Sequence, residues 1–217
     1  MMINKKQIIE ICSPISQAYK DSSKFVEIYE FLFKNQDFLA KNIDLCIEED
    51  VFKLAKKYFK AKYKELIPSV PGTVPDSMVD NILNIYYGYE AKKLKEMQIQ
   101  HQHAMAAENA VGEFIELYLD SVLSQYGWIR CCGQIVSKTD FIKKSGVNYK
   151  MLQVKSRDNT ENSSSSSVRN GTEIIKWFRY FAKTGRTNWS NFPDIEAKNK
   201  LNEEGFVKFV KSYATNN

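Results

Sequence analysis

The chain has two histidines and four cysteines in 217 residues, and nowhere do about twenty apolar residues stand together. Each scarcity excludes something. Cys12 and Cys46 stand alone and Cys131 and Cys132 are adjacent, so there is no C-x-x-C pair, no zinc-ligand spacing and no disulfide ladder. Reduced thiols of a cytoplasmic protein are expected. His101 and His103 lie in a polar helical stretch, Gln98 to His103, and read as surface residues instead of ligands. The first residues hold no apolar run ending in a small-residue cleavage site, so neither secretion nor a membrane span is expected. No internal repeat is visible.

What is present suits a folded domain. Apolar residues make up 43% and aromatics 13%, ample for a core in one large domain or two small ones. The net charge of +5 is unevenly spread. From Trp128 to Ser190 there are twelve Lys and Arg against four acids, an excess of eight that leaves the remainder at −3. A basic region of this kind suits either a solvated face or a cleft that follows phosphates, where neutralised charges release counterions.

The first hundred residues read as helices. Phe25, Ile28, Tyr29, Leu32 and Phe33 recur at helical spacing, as do Val51, Leu54, Ala55, Tyr58 and Phe59. Three prolines between Pro68 and Pro75 break the pattern. A capping-type start at Ser77 and Asp80 then predicts a helix to about Gln100. Residues 1–103 are expected to form a helical region serving as scaffold, dimerisation element or DNA clamp, and residues 104–217 a catalytic and DNA-recognition domain.

A second helix is predicted from about Ala104 to Gln125, stopped by Gly127. Its apolar stripe of Val111, Ile115, Tyr118 and Val122, projected back one turn, lands on Glu108, with Glu113, Glu116 and Asp120 on the wet side. A carboxylate heading a buried stripe needs an ion pair, a cap or a metal. Strand composition follows in Trp128 to Val136, around Thr139 to Ile142, and, after a turn at Ser145 to Asn148, in Tyr149 to Lys155. Beyond the polar stretch from Ser156 to Asn170, Thr172 is expected to cap a helix over Glu173 to Lys183 that buries Ile174, Trp177, Phe178 and Phe181. Residues from Asp194 to Tyr213 are expected to be helical and peripheral. The fold class expected is α/β (α+β), a mixed central sheet flanked by helices.

Asp140 and Gln153-Val154-Lys155 carry the chemistry. Residues two apart on a strand share a face, so Gln153 and Lys155 project together. A phosphodiester gains negative charge during hydrolysis, and its site must supply a divalent cation and a positive group beside the attacking water. Mg2+ suits hard oxygen ligands and keeps several waters. Asp140 would anchor it, Gln153 would add a neutral amide oxygen, Glu108 would restore the missing charge, and Lys155 would orient or help deprotonate the water.

Around these residues the chain resembles a known family. Ala107-Glu108-Asn109, Lys138-Thr139-Asp140-Phe141, Leu152-Gln153-Val154-Lys155-Ser156-Arg157-Asp158-Asn159, the serine run, Arg169-Asn170-Gly171-Thr172, Thr187-Asn188-Trp189 and Phe192-Pro193 look like the SinI-type restriction endonucleases, a branch of the PD-(D/E)-x-K nucleases. The likeness spans residues 104–194. It implies a homodimeric, Mg2+-dependent type II enzyme that cuts both strands of double-stranded DNA at a short palindrome of the GG(A/T)CC kind. The departures are Gln153 in place of a second acid and no proline before Asp140.

On that reading, Arg157, Arg169 and Arg186 are candidates for guanine contacts, and Asn159, Asn170 and Asn188 for adenine or phosphate contacts. Small serines such as Ser163 and Ser165 would follow the DNA backbone. Trp189 is expected in the core. Two other readings share these residues: a repair or junction nuclease of the same fold, which cuts by structure or lesion, and an inactive DNA-binding module, which binds with strong salt dependence and never cleaves.

Overall fold

Amphipathic spacing makes the first three helices, α1 (Lys5–Cys12), α2 (Tyr19–Lys34) and α3 (Glu48–Lys62). They belong to a computed structural model that describes residues 2–39, 43–158 and 174–216. Asn4 starts α1 through a reciprocal capping box with Gln7, the two bonds measuring 3.0 and 3.1 Å. Phe25, Ile28, Tyr29, Leu32, Val51, Leu54, Tyr58 and Phe59 are buried, as their spacing predicts. The Tyr29 hydroxyl keeps its hydrogen bonds in that core, accepting from the Ile3 N–H at 3.0 Å and donating to the Leu45 carbonyl at 2.8 Å.

Four strands form one sheet, β1 (Trp128–Arg130), β2 (Phe141–Ser145), β3 (Asn148–Arg157) and β4 (Ile174–Tyr180), in the order β1-β2-β3-β4. The first three are antiparallel, and β4 runs parallel to β3. The expected mixed sheet with flanking helices is what forms, and it is consistent with a restriction-endonuclease-like core. The β2–β3 turn falls at Gly146 and Val147, where Gly146 takes φ 63°.

The chain divides into two compact units, Met1–Glu65 with Ile115–Asn217, and Leu66–Phe114. In the first, α1 to α3 share a core with Ile142, Tyr149 and Met151 of the sheet. The Phe31 and Tyr149 rings meet edge to face at 5.2 Å. Lys144 of β2 reaches Glu30 at 3.0 Å and Glu27 at 3.5 Å on α2. The connector after β1 presses on α3 at Gly133, φ 76°, where a Cβ would lie 2.6 Å from the Lys57 carbonyl oxygen.

The second unit holds α4 (Ser77–Tyr87) and the first part of α5 (Ala91–Leu123). Asp76, not Ser77, caps α4, accepting from the Met78 N–H at 2.9 Å. Gly88 ends α4 in the left-handed region at φ 68°, so one predicted helix to Gln100 becomes two, and α5 starts at Ala91 instead of Ala104. Gly127, φ 79°, follows α5 after a single 3-10 turn, close to the predicted stop. Among the described residues, no helix is long and apolar enough to cross a membrane.

Two expectations are corrected in the C-terminal third. The helix predicted over 173–183 is the strand β4. Its apolar residues happen to fit helical spacing, yet Ile-Ile-Lys-Trp-Phe-Arg-Tyr is rich in β-branched and aromatic side chains, and pairing along β3 satisfies its backbone. The predicted cap Thr172 and the start of that segment lie outside the described residues. The final helices, α6 (Ile195–Lys198) and α7 (Glu203–Asn216), form in the segment expected to be helical and peripheral, and α7 is mostly exposed, but the start of that segment is anchored inward. Asp194 accepts from the Trp128 indole N–H at 2.8 Å and the Lys143 ammonium at 3.0 Å, and caps α6 through the Glu196 and Ala197 N–H groups. Burial alone would push its carboxyl pKa up, but Trp128, Lys143 and Ala197 together hold it below the ordinary value.

Candidate active site

Strand register assembles the site. Phe141 pairs with Leu152, so Asp140, one residue before β2, stands across from Gln153 on β3. The Asp140 backbone is held on both sides, its N–H donating to the Leu152 carbonyl at 2.9 Å and its carbonyl accepting from the Cys131 N–H at 2.8 Å. Thr139, buried beside it, donates its hydroxyl to the Leu152 and Phe141 carbonyls. One carboxylate oxygen, Oδ2, accepts from the Val154 N–H at 2.7 Å. That bond fixes the side chain against β3 and orients the second oxygen.

Alternation does the rest. Leu152 and Val154 are buried on one face, and Gln153 and Lys155 stand half-buried on the other. The parallel register with β4 sets Lys176 beside Gln153 and Phe178 beside Lys155. Asp140, Gln153, Lys155 and Lys176 therefore share one half-buried stretch of the sheet. Burial raises the Asp140 pKa above the ordinary carboxylate value, and the Val154 N–H and the Lys155 ammonium oppose that rise without cancelling it. Burial, then the charges of Asp140, Cys132 and Glu116 in that order, push the Cys131 thiol well above its usual pKa. Cys131 is thus a neutral wall of the site, not a thiolate ligand.

The donor set has a definite chemistry. Among the described residues no group of three or more His, Cys, Asp and Glu gathers as a ready-made metal cage. One carboxylate and one amide oxygen, with no sulfur or imidazole, fit a small hard cation that keeps most of its waters and does not fit zinc. The four cysteines are free thiols and both histidines are exposed.

Other sequence candidates are dispersed. Glu108 is exposed on α5, in the unit Leu66–Phe114. The buried stripe of α5 runs through Ala106, Ala110, Phe114, Ile115, Tyr118, Leu119 and Leu123, so Glu108 does not head it. Glu116 and Asp120, expected in water, are half-buried against β1: Asp120 pairs with Arg130 at 3.8 Å, and the charge of Glu116 is felt at Arg130 and Cys131. Ile115 and Tyr118 of the predicted stripe are buried and Val111 and Val122 half-buried, but the packed surface is broader than that stripe, so Glu116 and Asp120 fall at its edge while Glu113 is exposed as expected. Lys176 was missed because its segment read as a helix. Alternation of Ile175 and Trp177 about it was the available signal.

Arg157 is exposed at the end of β3, and Arg186 is exposed with its guanidinium over the Phe181 ring at 6.0 Å. Asn188 is buried, its amide nitrogen donating to the Phe178 carbonyl at 2.9 Å and its oxygen accepting from Asn191 at 2.7 Å. Both ends of its side chain are engaged within the protein. Trp189 is in the core beside Trp177, with ring centroids 5.0 Å apart. Asn159, Ser163, Ser165, Arg169 and Asn170 lie outside the described residues.

Comparison with known proteins identifies the family. The SinI restriction endonuclease family model matches residues 7–216. The type II restriction enzyme Eco47I of Escherichia coli is 44% identical over 200 residues, covering 88% of this chain and 86% of the relative. The type II restriction enzyme SinI of Salmonella infantis is 38% identical over 201 residues, covering 86% of each. The chain belongs to the SinI restriction endonuclease family and is a type II restriction enzyme, a site-specific deoxyribonuclease.

Proposed function

We propose that this enzyme cleaves both strands of double-stranded DNA at a short palindrome of the GG(A/T)CC type, using Mg2+, as a homodimer with a PD-(D/E)-x-K type centre. It would act in the bacterial cytoplasm as the restriction half of a restriction-modification pair. The observation that carries the reading is the half-buried Asp140 carboxylate, pinned by the Val154 N–H at 2.7 Å, within electrostatic reach of Lys155 and across from Gln153.

Asp140 and Gln153 would hold the cation. When bound, Mg2+ supplies Lewis-acid stabilisation of the charge that builds on the phosphoryl oxygens. The protein's own part is positioning. Asp140 must be ionised to serve, and Lys155 favours that state. The Lys155 ammonium donates to the attacking water and to a non-bridging phosphoryl oxygen, where charge grows in the transition state. Lys176 and Arg157 stand on the same face by register and serve as phosphate contacts, with Arg186 as a candidate for base contact. Glu116 is the α5 acid whose charge is felt beside Asp140, at Cys131. It is proposed as the helix carboxylate that adds charge to the site, with Glu108 as the alternative from the sequence motif. A Glu116→Gln and Glu108→Ala comparison separates them, since only the true participant raises the Mg2+ concentration needed for half-maximal cleavage.

Digestion of plasmid and phage DNA with and without Mg2+, followed by sequencing of the fragment ends, tests the whole reading. Discrete fragments sharing a GG(A/T)CC-like end support it. Smearing or branch-dependent nicking supports a repair or junction nuclease, and salt-sensitive binding without cleavage in any divalent metal supports an inactive binding module.

A further inference from the structure

Helix α4 has an apolar composition and no buried residue. Met78, Val79, Ile82, Ile85 and Tyr86 recur at i, i+1, i+4, i+7 and i+8, the stripe by which a helix seats itself in a core, yet all five are exposed, Ile85 to 75% and Tyr86 to 79%. The side of α4 turned to α5 is a different one, marked by the Asp80 carboxylate on Gln98 at 2.6 Å and by the half-buried Leu83. An apolar groove of about 390 Å³ between the two helices continues the surface and shares Val79 with it.

Charge decides what covers this face. From Leu66 to Tyr89 there is no Lys or Arg, in a chain that carries 31 of them, and Asp76 and Asp80 are the acids present. A DNA-facing surface needs cations to replace counterions, and this stretch has none. A second copy of the same face meets little like-charge repulsion, because Asp76 and Asp80 are the charged residues of this stretch and both are turned to partners within their own unit, Asp76 to the start of α4 and Asp80 to Gln98 on α5. Size agrees. The five stripe residues and Tyr87 expose together on the order of 700 Å², close to the ~800 Å² that each partner buries in a standard interface. A face of this kind packed across a two-fold axis is isologous, so each residue acts twice.

We infer that the exposed stripe of α4 is the surface on which two copies of this chain associate. The inference rests on the homodimeric reading above, which asks for two sites to cut two strands, and adds where the copies meet. Sedimentation equilibrium on the full chain, unsubstituted and as Ile82→Asp, Ile85→Asp and the control Ile195→Asp, tests it, with circular dichroism to show retained helix. Ile195 is exposed on α6, away from the stripe in sequence. The expected result is a dimer for the unsubstituted and control proteins and a dissociation constant raised on the order of a hundredfold or more in each α4 variant. Cleavage should shift from double-strand breaks to single-strand nicks in proportion. A dimeric parent with equally dimeric α4 variants would overturn the surface and leave the homodimer standing. A monomeric parent would hand the face to another partner and overturn both.

Discussion

Asp140→Asn separates catalysis from stability at a single atom pair. The asparagine oxygen retains an acceptor for the Val154 N–H, now 2.7 Å from Oδ2, so the local geometry is kept and the charge is lost. Two consequences follow in opposite directions. On the proposed reading the carboxylate that would hold the cation is lost, and several kcal/mol of transition-state stabilisation go with it, so cleavage should fall by roughly 10³-fold or more. Stability moves the other way. In the folded, metal-free protein the Asp140 pKa lies above its ordinary value after burial, the Val154 bond and Lys155 have all acted. Above the folded pKa the ionised carboxylate therefore subtracts from stability, about 1.4 kcal/mol for each unit of the shift, and that deficit closes as pH falls. A neutral isostere removes it. Metal-free Asp140→Asn should melt no lower than the parent at pH 7.5, with a gain of about 2–4 °C for each kcal/mol recovered, and the gain should shrink towards pH 4. Single-turnover cleavage and differential scanning calorimetry in EDTA read the two effects. Turnover within tenfold of the parent, or a fall of several degrees in melting temperature, would refute the reasoning.

Lys155→Met removes the ammonium that opposes the rise of the Asp140 pKa, so the acid limb of the cleavage rate should move to higher pH, on top of a loss of about 10³-fold at the plateau. A pH–rate profile with an unmoved acid limb would separate Lys155 from Asp140. Gln153→Glu adds a second carboxylate across from Asp140, and the half-saturating Mg2+ concentration should fall, as a metal titration of cleavage would show. Asp194→Ala releases Trp128, Lys143 and the α6 cap together and should cost about 3 kcal/mol, or roughly 6–12 °C in melting temperature. Because the Asp194 pKa is held low in the fold, its contribution is complete above the ordinary carboxylate pKa and is lost as pH falls through the folded value, so the gap between variant and parent should close in acid.

The β2–β3 hairpin and the faces of its side chains were legible because they depend on short-range rules. Alternation along Tyr149 to Lys155 put Gln153 and Lys155 on one face, and the Gly146 turn set the hairpin that carries Asp140 across from Gln153. What escaped depends on distant partners. Ile174, Trp177, Phe178 and Phe181 satisfy helical spacing as well as a strand does, and pairing with β3 decided between them. That pairing also brought Lys176 to the site. On α5 the predicted stripe shares Ile115 and Tyr118 with the packed surface, but that surface is broader than the stripe, and so Glu116 and Asp120 at its edge were read as wet. Asn188 looked like a groove-reading amide by residue type, but the Phe178 carbonyl and Asn191 employ it inside the protein.

Anomalous diffraction from crystals grown with Mn2+ and a cognate DNA duplex bears most directly on the metal-centred account. A peak about 2.2 Å from the free oxygen of Asp140 and from the Gln153 amide oxygen, with the Lys155 ammonium on the scissile phosphate or its attacking water, is the predicted result. A metal bound elsewhere on the chain, with the free oxygen of Asp140 unligated and Lys155 turned from the phosphate, would contradict it.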